Sequence, residues 1–338
     1  MRNRHFALCC LVVAVAVAHS GCRRTGSVEP NKLRIFGALP AAIDQRSPTP
    51  VAPERIALGR MLFYEPRLSK SGAISCDTCH PLDKYGVDNQ PTSDGHQGAL
   101  GERNSPSVYN AAGHFAQFWD GRAPDVEEQA KGPVLNPVEM AMPSEQAVVA
   151  ALRSIPEYVE AFKRAFPDDQ DPVTFDHAAL AIGAFERGLV TPSRWDRFLR
   201  GDHAALTPAE IAGFNTFLQT GCASCHAGTY VGGKMFQRIG LLRDWPDQSD
   251  PGRYKLTRSE ADRMVFKVPS LRNVAKTAPY FHNGKVKTLE EAVSDMAEYQ
   301  IGKKLTEGEV RAIVAWLQAL TGEIPADYIK QPQVAGAR

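Results

Sequence analysis

Two short segments carry the strongest chemical signal in the chain: Cys76-Asp77-Thr78-Cys79-His80 and Cys222-Ala223-Ser224-Cys225-His226 both read Cys-x-x-Cys-His. That spacing attaches a c-type haem. Two thiols reach the vinyl groups on one edge of a porphyrin, and the adjacent histidine turns beneath the ring as the proximal iron ligand. Two covalently bound haem c groups are therefore expected, one on Cys76, Cys79 and His80 and one on Cys222, Cys225 and His226. A zinc centre would need further clustered Cys or His, which the sequence lacks.

The sixth ligands decide what each iron does, because an open or displaceable position admits a small molecule whereas two strong ligands suit electron transfer. In the first half, His96 lies in a polar, glycine-bearing loop and is a candidate removable ligand or a plain surface histidine. In the second half, Met235, Met264 and Met296 are all possible thioether ligands, and periodicity does not choose among them. Chemistry on a small molecule at an open iron also requires a group that accepts and returns a proton. Glu139, beside apolar residues, with Gln129 upstream, could supply it, or could be a helix-end carboxylate.

The elements that must hold these residues are helical. Thr207-x-x-Glu210, Thr288-x-x-Glu291 and Thr306-x-x-Glu309 have capping-box form, and apolar residues at helical spacing fill 56–63, 147–152, 158–166, 177–189 and 211–218. An internal repeat organises them. Pro106-Ser107-Val108-Tyr109-Asn110 aligns with Pro269-Ser270-Leu271-Arg272-Asn273, and at the same offset Phe118-Trp119-Asp120-Gly121-Arg122 aligns with Phe281-His282-Asn283-Gly284-Lys285. The second haem motif lies farther upstream of its repeat, so an insertion is expected around 232–263. The fold class that follows is mainly α: two cytochrome c-like helical domains related by duplication, each with one haem.

A basic n-region and an apolar run through Ala18 have the form of a secretory leader, so residues 1–22 are read as a signal peptide of an exported, periplasmic protein. Cys22, at the end of that segment, is the one cysteine left once Cys9 and Cys10 go with the leader and four serve the haem motifs; lipidation there would anchor the chain to a membrane, and ordinary cleavage is the alternative. Residues 23–53 read as a solvated linker or arm, 54–190 and 191–325 as the two haem domains, and 326–338 as a tail. With 39 basic and 38 acidic residues the net charge is +1, and nothing suggests a nucleic-acid partner.

The residues also carry a resemblance. Leu68-Ser69-Lys70-Ser71-Gly72, Arg103-Asn104-Ser105-Pro106, Ala116-Gln117-Phe118-Trp119-Asp120-Gly121-Arg122, Gln129-Ala130-Lys131-Gly132-Pro133 and Thr277-Ala278-Pro279-Tyr280-Phe281-His282 closely resemble the bacterial di-haem cytochrome c peroxidases, over about Arg55 to Pro325. The resemblance implies a cytochrome-c peroxidase that reduces hydrogen peroxide with electrons from a small periplasmic cytochrome c or cupredoxin. It implies that the first haem is peroxidatic with His96 as departing distal ligand, that Glu139 and Gln129 form the distal polar pair, and that Trp119 lies between the haems. Met296 then matches the axial methionine of the electron-entry haem. Related enzymes that oxidise protein tryptophans have tyrosine there. The resemblance further implies a calcium ion held by Asn104, Thr277 and Pro279, a homodimer, and a final helix that packs back on the first domain. A di-haem electron carrier without peroxidase activity, or an enzyme oxidising a protein or quinol, are the alternatives.

Overall fold

The computed structural model describes residues 28–43 and 51–333. A short α1 (Pro30–Leu33) lies in the arm, and the first lobe holds α2 (Pro53–Phe63), α3 (Cys76–Cys79), α4 (Val126–Leu135), α5 (Glu145–Arg153), α6 (Pro156–Ala165) and α7 (Phe175–Glu186). After α8 (Arg194–Leu199) the second lobe holds α9 (Pro208–Thr220), β1 (Phe236–Arg238), α10 (Tyr254–Thr257), β2 (Val265–Lys267), α11 (Leu289–Asp295) and α12 (Glu307–Ala319). The strands pair antiparallel with Phe236 opposite Lys267, so β1 and α10 occupy the stretch by which the second half outgrows the first.

Both lobes are built on one helix crossing. A Cβ on Gly59 of α2 would lie 1.8 Å from the Ala181 carbonyl oxygen and 3.0 Å from the Phe185 Cβ of α7; on Gly213 of α9 it would lie 1.9 Å from Ala312 O and 3.2 Å from the Trp316 Cβ of α12. Only glycine permits so close an approach. Four residues later in each helix, Phe63 meets Phe185 and Phe217 meets Trp316, with ring centroids 5.5 and 4.5 Å apart. Reciprocal capping boxes at Thr207/Glu210 and Thr306/Glu309 start α9 and α12, whereas Thr288 accepts from the Glu291 amide without the return bond.

The duplication persists in backbone conformation. Asn110 and Asn273, then Phe118 and Phe281, are paired repeat positions, and all four have φ between 61° and 67°. Asparagine tolerates this region, but a bulky aromatic there is strained and marks a place the surrounding fold over-determines. Each phenylalanine sits in a closed turn, with Gln117 N donating to Ala123 O (2.8 Å) and Tyr280 N to Val286 O (2.7 Å). Asn110 and Asn273 both donate through Nδ2 to the Thr191 hydroxyl, at 2.9 and 2.8 Å, which ties the two halves together at one atom.

Two expectations are corrected. The arm is not a free solvated linker over 28–43: much of it is exposed, but Phe36, Leu39 and Ile43 are buried and anchor it, and Phe36 meets Trp195 and Phe214 edge-on at 5.6 and 5.3 Å. Phe36 fills an aromatic slot of the second lobe, and Leu39 and Ile43 pack with Ala112, Val126, Val190 and Tyr230, so three large apolar side chains leave water. The final helix α12 packs on α9 within its own lobe, because its apolar face, Val310, Ile313, Val314 and Leu317, is the second core's own wall. The chain beyond it returns to the first lobe, where the Tyr328 hydroxyl donates to Phe185 O (2.7 Å) and the Tyr64 hydroxyl to Ile329 O (2.6 Å). The leader and Cys22 lie outside the described residues.

Candidate active site and haem centres

A cavity of about 650 Å³ opens beside the first motif and is lined by Cys76, Cys79 and His80, by Trp119, Gln129 and Glu139, and by residues of the second lobe. Its size suits a large cofactor. The His80 Nδ1–H donates to Gly86 O at 3.1 Å, a tautomer assigned from the carbonyl partner, so Nε2 keeps its lone pair. Burial lowers the His80 pKa, which keeps the imidazole neutral and able to ligate iron. Both thiols, a neutral imidazole and apolar walls such as Phe63, Ile74 and Val108 thus share one space, which fits haem c.

Glu139 follows α4 in a tight turn where Asn136 Nδ2 donates to its Oε1 at 3.0 Å. Burial raises its carboxyl, and the Arg122 charge and the Asn136 bond offset only part of that. The His96 loop docks on the same turn: His96 N donates to the carbonyl oxygens of Val138 and Glu139, both at 2.8 Å. A Cβ on Gly95 would sit 2.0 Å from Val138 O, so this docking needs glycine. Asp94 and Gly95 line the cavity while the His96 side chain does not, and its buried Nδ1 lacks a hydrogen-bond partner.

Trp119 is fixed between the lobes. Its Nε1–H donates to Asn104 O (2.8 Å), its carbonyl accepts from Lys267 N (2.7 Å), and its ring meets His282 edge-on at 6.4 Å. Asn104 Nδ2 donates to Gln90 O at 2.9 Å, which leaves its Oδ1 to face elsewhere, and Asn104, Thr277 and Pro279 line the same cavity.

The second motif has its own surroundings. Burial takes His226 down to about 4, and its Nδ1 faces the carbonyls of Val231 and Pro269 without closing a hydrogen bond. His80 likewise has the carbonyl of Pro106, the repeat partner of Pro269, beside it. Cys222 and Cys225 are half-buried. Met296 is half-buried and opens a π-helical turn, Met296–Gln300, at the end of α11; such turns are frequent at functional sites. Lys303 fastens this turn to the helix before the motif, since its N donates to Ala297 O (2.8 Å) and its Nζ to Thr220 O (3.0 Å). Met235 and Met264 instead flank the hairpin: Met235 O accepts from Val268 N, and Met264 N donates to Pro251 O.

Sequence reasoning missed three buried groups at the cavity: Glu186, His114 and Lys267. Lys267 had a signal, a lone cation within the apolar run Val265-Phe266-Lys267-Val268. Glu186 closes α7, and burial, then the charge of Glu127, push its carboxyl up to about 8. Between its ordinary value near 4.5 and that point, the folded chain holds a proton that the unfolded chain has released, so stability falls as pH rises through the window. Glu186→Gln should raise the melting temperature by several degrees at pH ~8 and change little at pH ~5. Equal shifts at both pH values would refute the assignment.

This is the site of a di-haem c-type cytochrome, with one haem centre in each of two duplicated helical lobes. The di-haem cytochrome c peroxidase family model matches residues 53–204, and a cytochrome c model matches 211–321. The cytochrome c551 peroxidase of Pseudomonas aeruginosa is 46% identical over 86% of this chain and 85% of its own length. That of Nitrosomonas europaea is 48% identical over 82% of this chain and 83% of its own. A crystallised MauG-like protein associated with microbial copper homeostasis superposes with a TM-score of 0.76 at 30% identity, covering 87% of this chain and 98% of that one. The chain belongs to the di-haem cytochrome c peroxidase family, oxidoreductases that act on peroxide, and carries two haem c groups.

Proposed function

We propose that the chain reduces hydrogen peroxide to water in the first-lobe cavity, with electrons entering through the second lobe from a small cytochrome c or cupredoxin. One observation carries this: Glu139, a buried carboxyl raised above its ordinary value, lines the same cavity as His80 and Gln129. Haem held on Cys76, Cys79 and His80, with Cys222, Cys225, His226 and Met296 holding its partner, supplies the iron and the electron path. The chain's own residues move the protons. Glu139 Oε2, the oxygen not bound by Asn136, takes a proton from one peroxide oxygen and returns it to the other as that oxygen leaves. Gln129 orients the peroxide, and two further protons and two electrons complete two waters. Trp119, pinned between the lobes, lies where electrons must cross.

His96 is the gate in this reading. Its loop is docked through the His96 amide on the Val138–Glu139 turn and through the Ser93 hydroxyl on that of Ser105 (2.7 Å), while the buried imidazole Nδ1 has no partner, so the ring can cap the iron or leave it without unfolding an element. His96→Gly should turn over peroxide in the fully oxidised state at a rate close to that of the semi-reduced wild type. The reading fails if the semi-reduced wild type shows no steady-state turnover, and the gate alone fails if the oxidised wild type is already high-spin and active.

Calcium on Asn104, Thr277 and Pro279 would rest on neutral amide and carbonyl oxygens, which suits a hard cation with waters completing the shell. No cluster of three His, Cys, Asp or Glu occurs among the described residues. Export to the periplasm, a lipid anchor at Cys22 and a homodimer belong to the same proposal. No helix among the described residues is long and apolar enough to cross a membrane.

A further inference from the structure

Four cations that line the first cavity have carboxylate partners: Arg103 on Asp120 and Asp250, Arg122 on Asp120, Lys255 on Glu102, and Arg272 on Asp196. Lys267 has none among the described residues. It is 6% exposed, and its Nζ meets only His114 Nδ1, at 3.3 Å. His114 is itself 9% exposed, and its Nε2 is buried without a partner. Both side chains line the cavity.

The hydrogen-bond inventory is one-sided. An ammonium donating to Nδ1 fixes the imidazole proton on Nε2, so the pair presents an N–H of His114 and two of Lys267 and no remaining acceptor. Each buried donor left unmade costs about 1–3 kcal/mol, more for a charged one. Such an arrangement calls for an anion. A haem brings two: its thioether edge is fixed by Cys76 and Cys79, so its propionates leave from the other edge and must meet a different wall. Lys267, on β2 of the second lobe, lines the same cavity as Cys76 and Cys79 but comes from the other half of the chain.

We propose that Lys267 and His114 form a buried cationic seat for a propionate of the first haem. The seat is built by both halves of the chain. Lys267 N is held by Trp119 O at 2.7 Å, and a Cβ on Gly233 would lie 3.1 Å from His114 Nε2. One residue earlier, a Cβ on Gly232 would lie 3.2 Å from His226 Nδ1, so the seat shares its backbone wall with the second haem's histidine. Burial alone takes Lys267 down to about 8, and a carboxylate at the seat restores its charge.

The proposal rests on the two-haem reading, and the test separates the two. Haem content and peroxide turnover examine that reading; the midpoint potential of each haem examines the seat. In Lys267→Met with two haems per chain, loss of the cation should lower the first haem's reduction equilibrium at least tenfold, about 59 mV for one electron. Lys267→Arg should stay within threefold of wild type, and the second haem should not move. An unchanged first haem, or a shift confined to the second, overturns the proposal. Should Lys267→Met fail to take up both haems, the propionate bending band in the resonance Raman spectrum decides: it must shift between wild type and Lys267→Arg, and identical bands overturn the seat.

Discussion

Glu139→Gln should lower peroxide turnover of the semi-reduced enzyme by roughly 10²–10⁴-fold, the range expected when a positioned acid/base is removed. The change is nearly isosteric and keeps an oxygen to accept from Asn136 Nδ2, so the turn Asn136–Glu139 and the His96 amide bonds to Val138 and Glu139 carbonyls should survive. Haem content, both visible spectra and the melting temperature should then match wild type, while kcat falls. Turnover within twofold of wild type would remove Glu139 from the reaction. A loss of turnover accompanied by a changed spin state would instead mean that the variant had disturbed the His96 loop.

What the sequence made legible was whatever local chemistry or repetition encodes. The haem motifs are contiguous, and the repeat shows as paired strings whose backbones take the same left-handed turns at Asn110 and Asn273 and at Phe118 and Phe281. Helix starts at Thr207 and Thr306 were written in their own capping residues. The arm was illegible because its Pro- and Ala-rich composition says nothing of the slot between Trp195 and Phe214 that receives Phe36. The partner of α12 was equally hidden, since its apolar face fits either lobe until Gly213 of α9 is seen to admit Ala312. At the site, Glu139 was readable as a candidate but the docking of the His96 loop on its turn was not. The Lys267–His114 contact joins residues 153 apart in the chain, and no periodicity links them.

The repeat also explains where stability should be most sensitive. In the first half the Ser107 hydroxyl donates to Tyr85 O and the Tyr109 hydroxyl to Leu82 O, both at 2.7 Å, holding the chain that follows the haem motif. In the second half Ser270 donates to Tyr230 O at 2.7 Å, but the position of Tyr109 is taken by Arg272, whose Nε and Nη2 donate to Thr229 O at 3.0 and 2.7 Å. A buried guanidinium needs a counter-charge. Asp196, 0% exposed, provides it at 2.6 Å and also accepts from the amides of Leu39 and Ser193. Burial would raise the Asp196 carboxyl, yet the Arg272 charge and these bonds hold it below its ordinary value. Asp196→Ala strands the arginine and should cost about 3–5 kcal/mol, a fall in melting temperature of roughly 10 °C. Adding Arg272→Tyr restores the first-half arrangement and should recover much of that loss, because the stranded charge, not the missing bond, dominates it. Amide exchange at Leu39 gives the local readout: it should quicken in the single variant, since the arm's anchor is Asp196 itself. If Asp196→Ala melts within ~1 kcal/mol of wild type, Arg272 finds enough compensation in the carbonyls of Thr229 and Gly37, and the ion pair is dispensable for the second haem lobe.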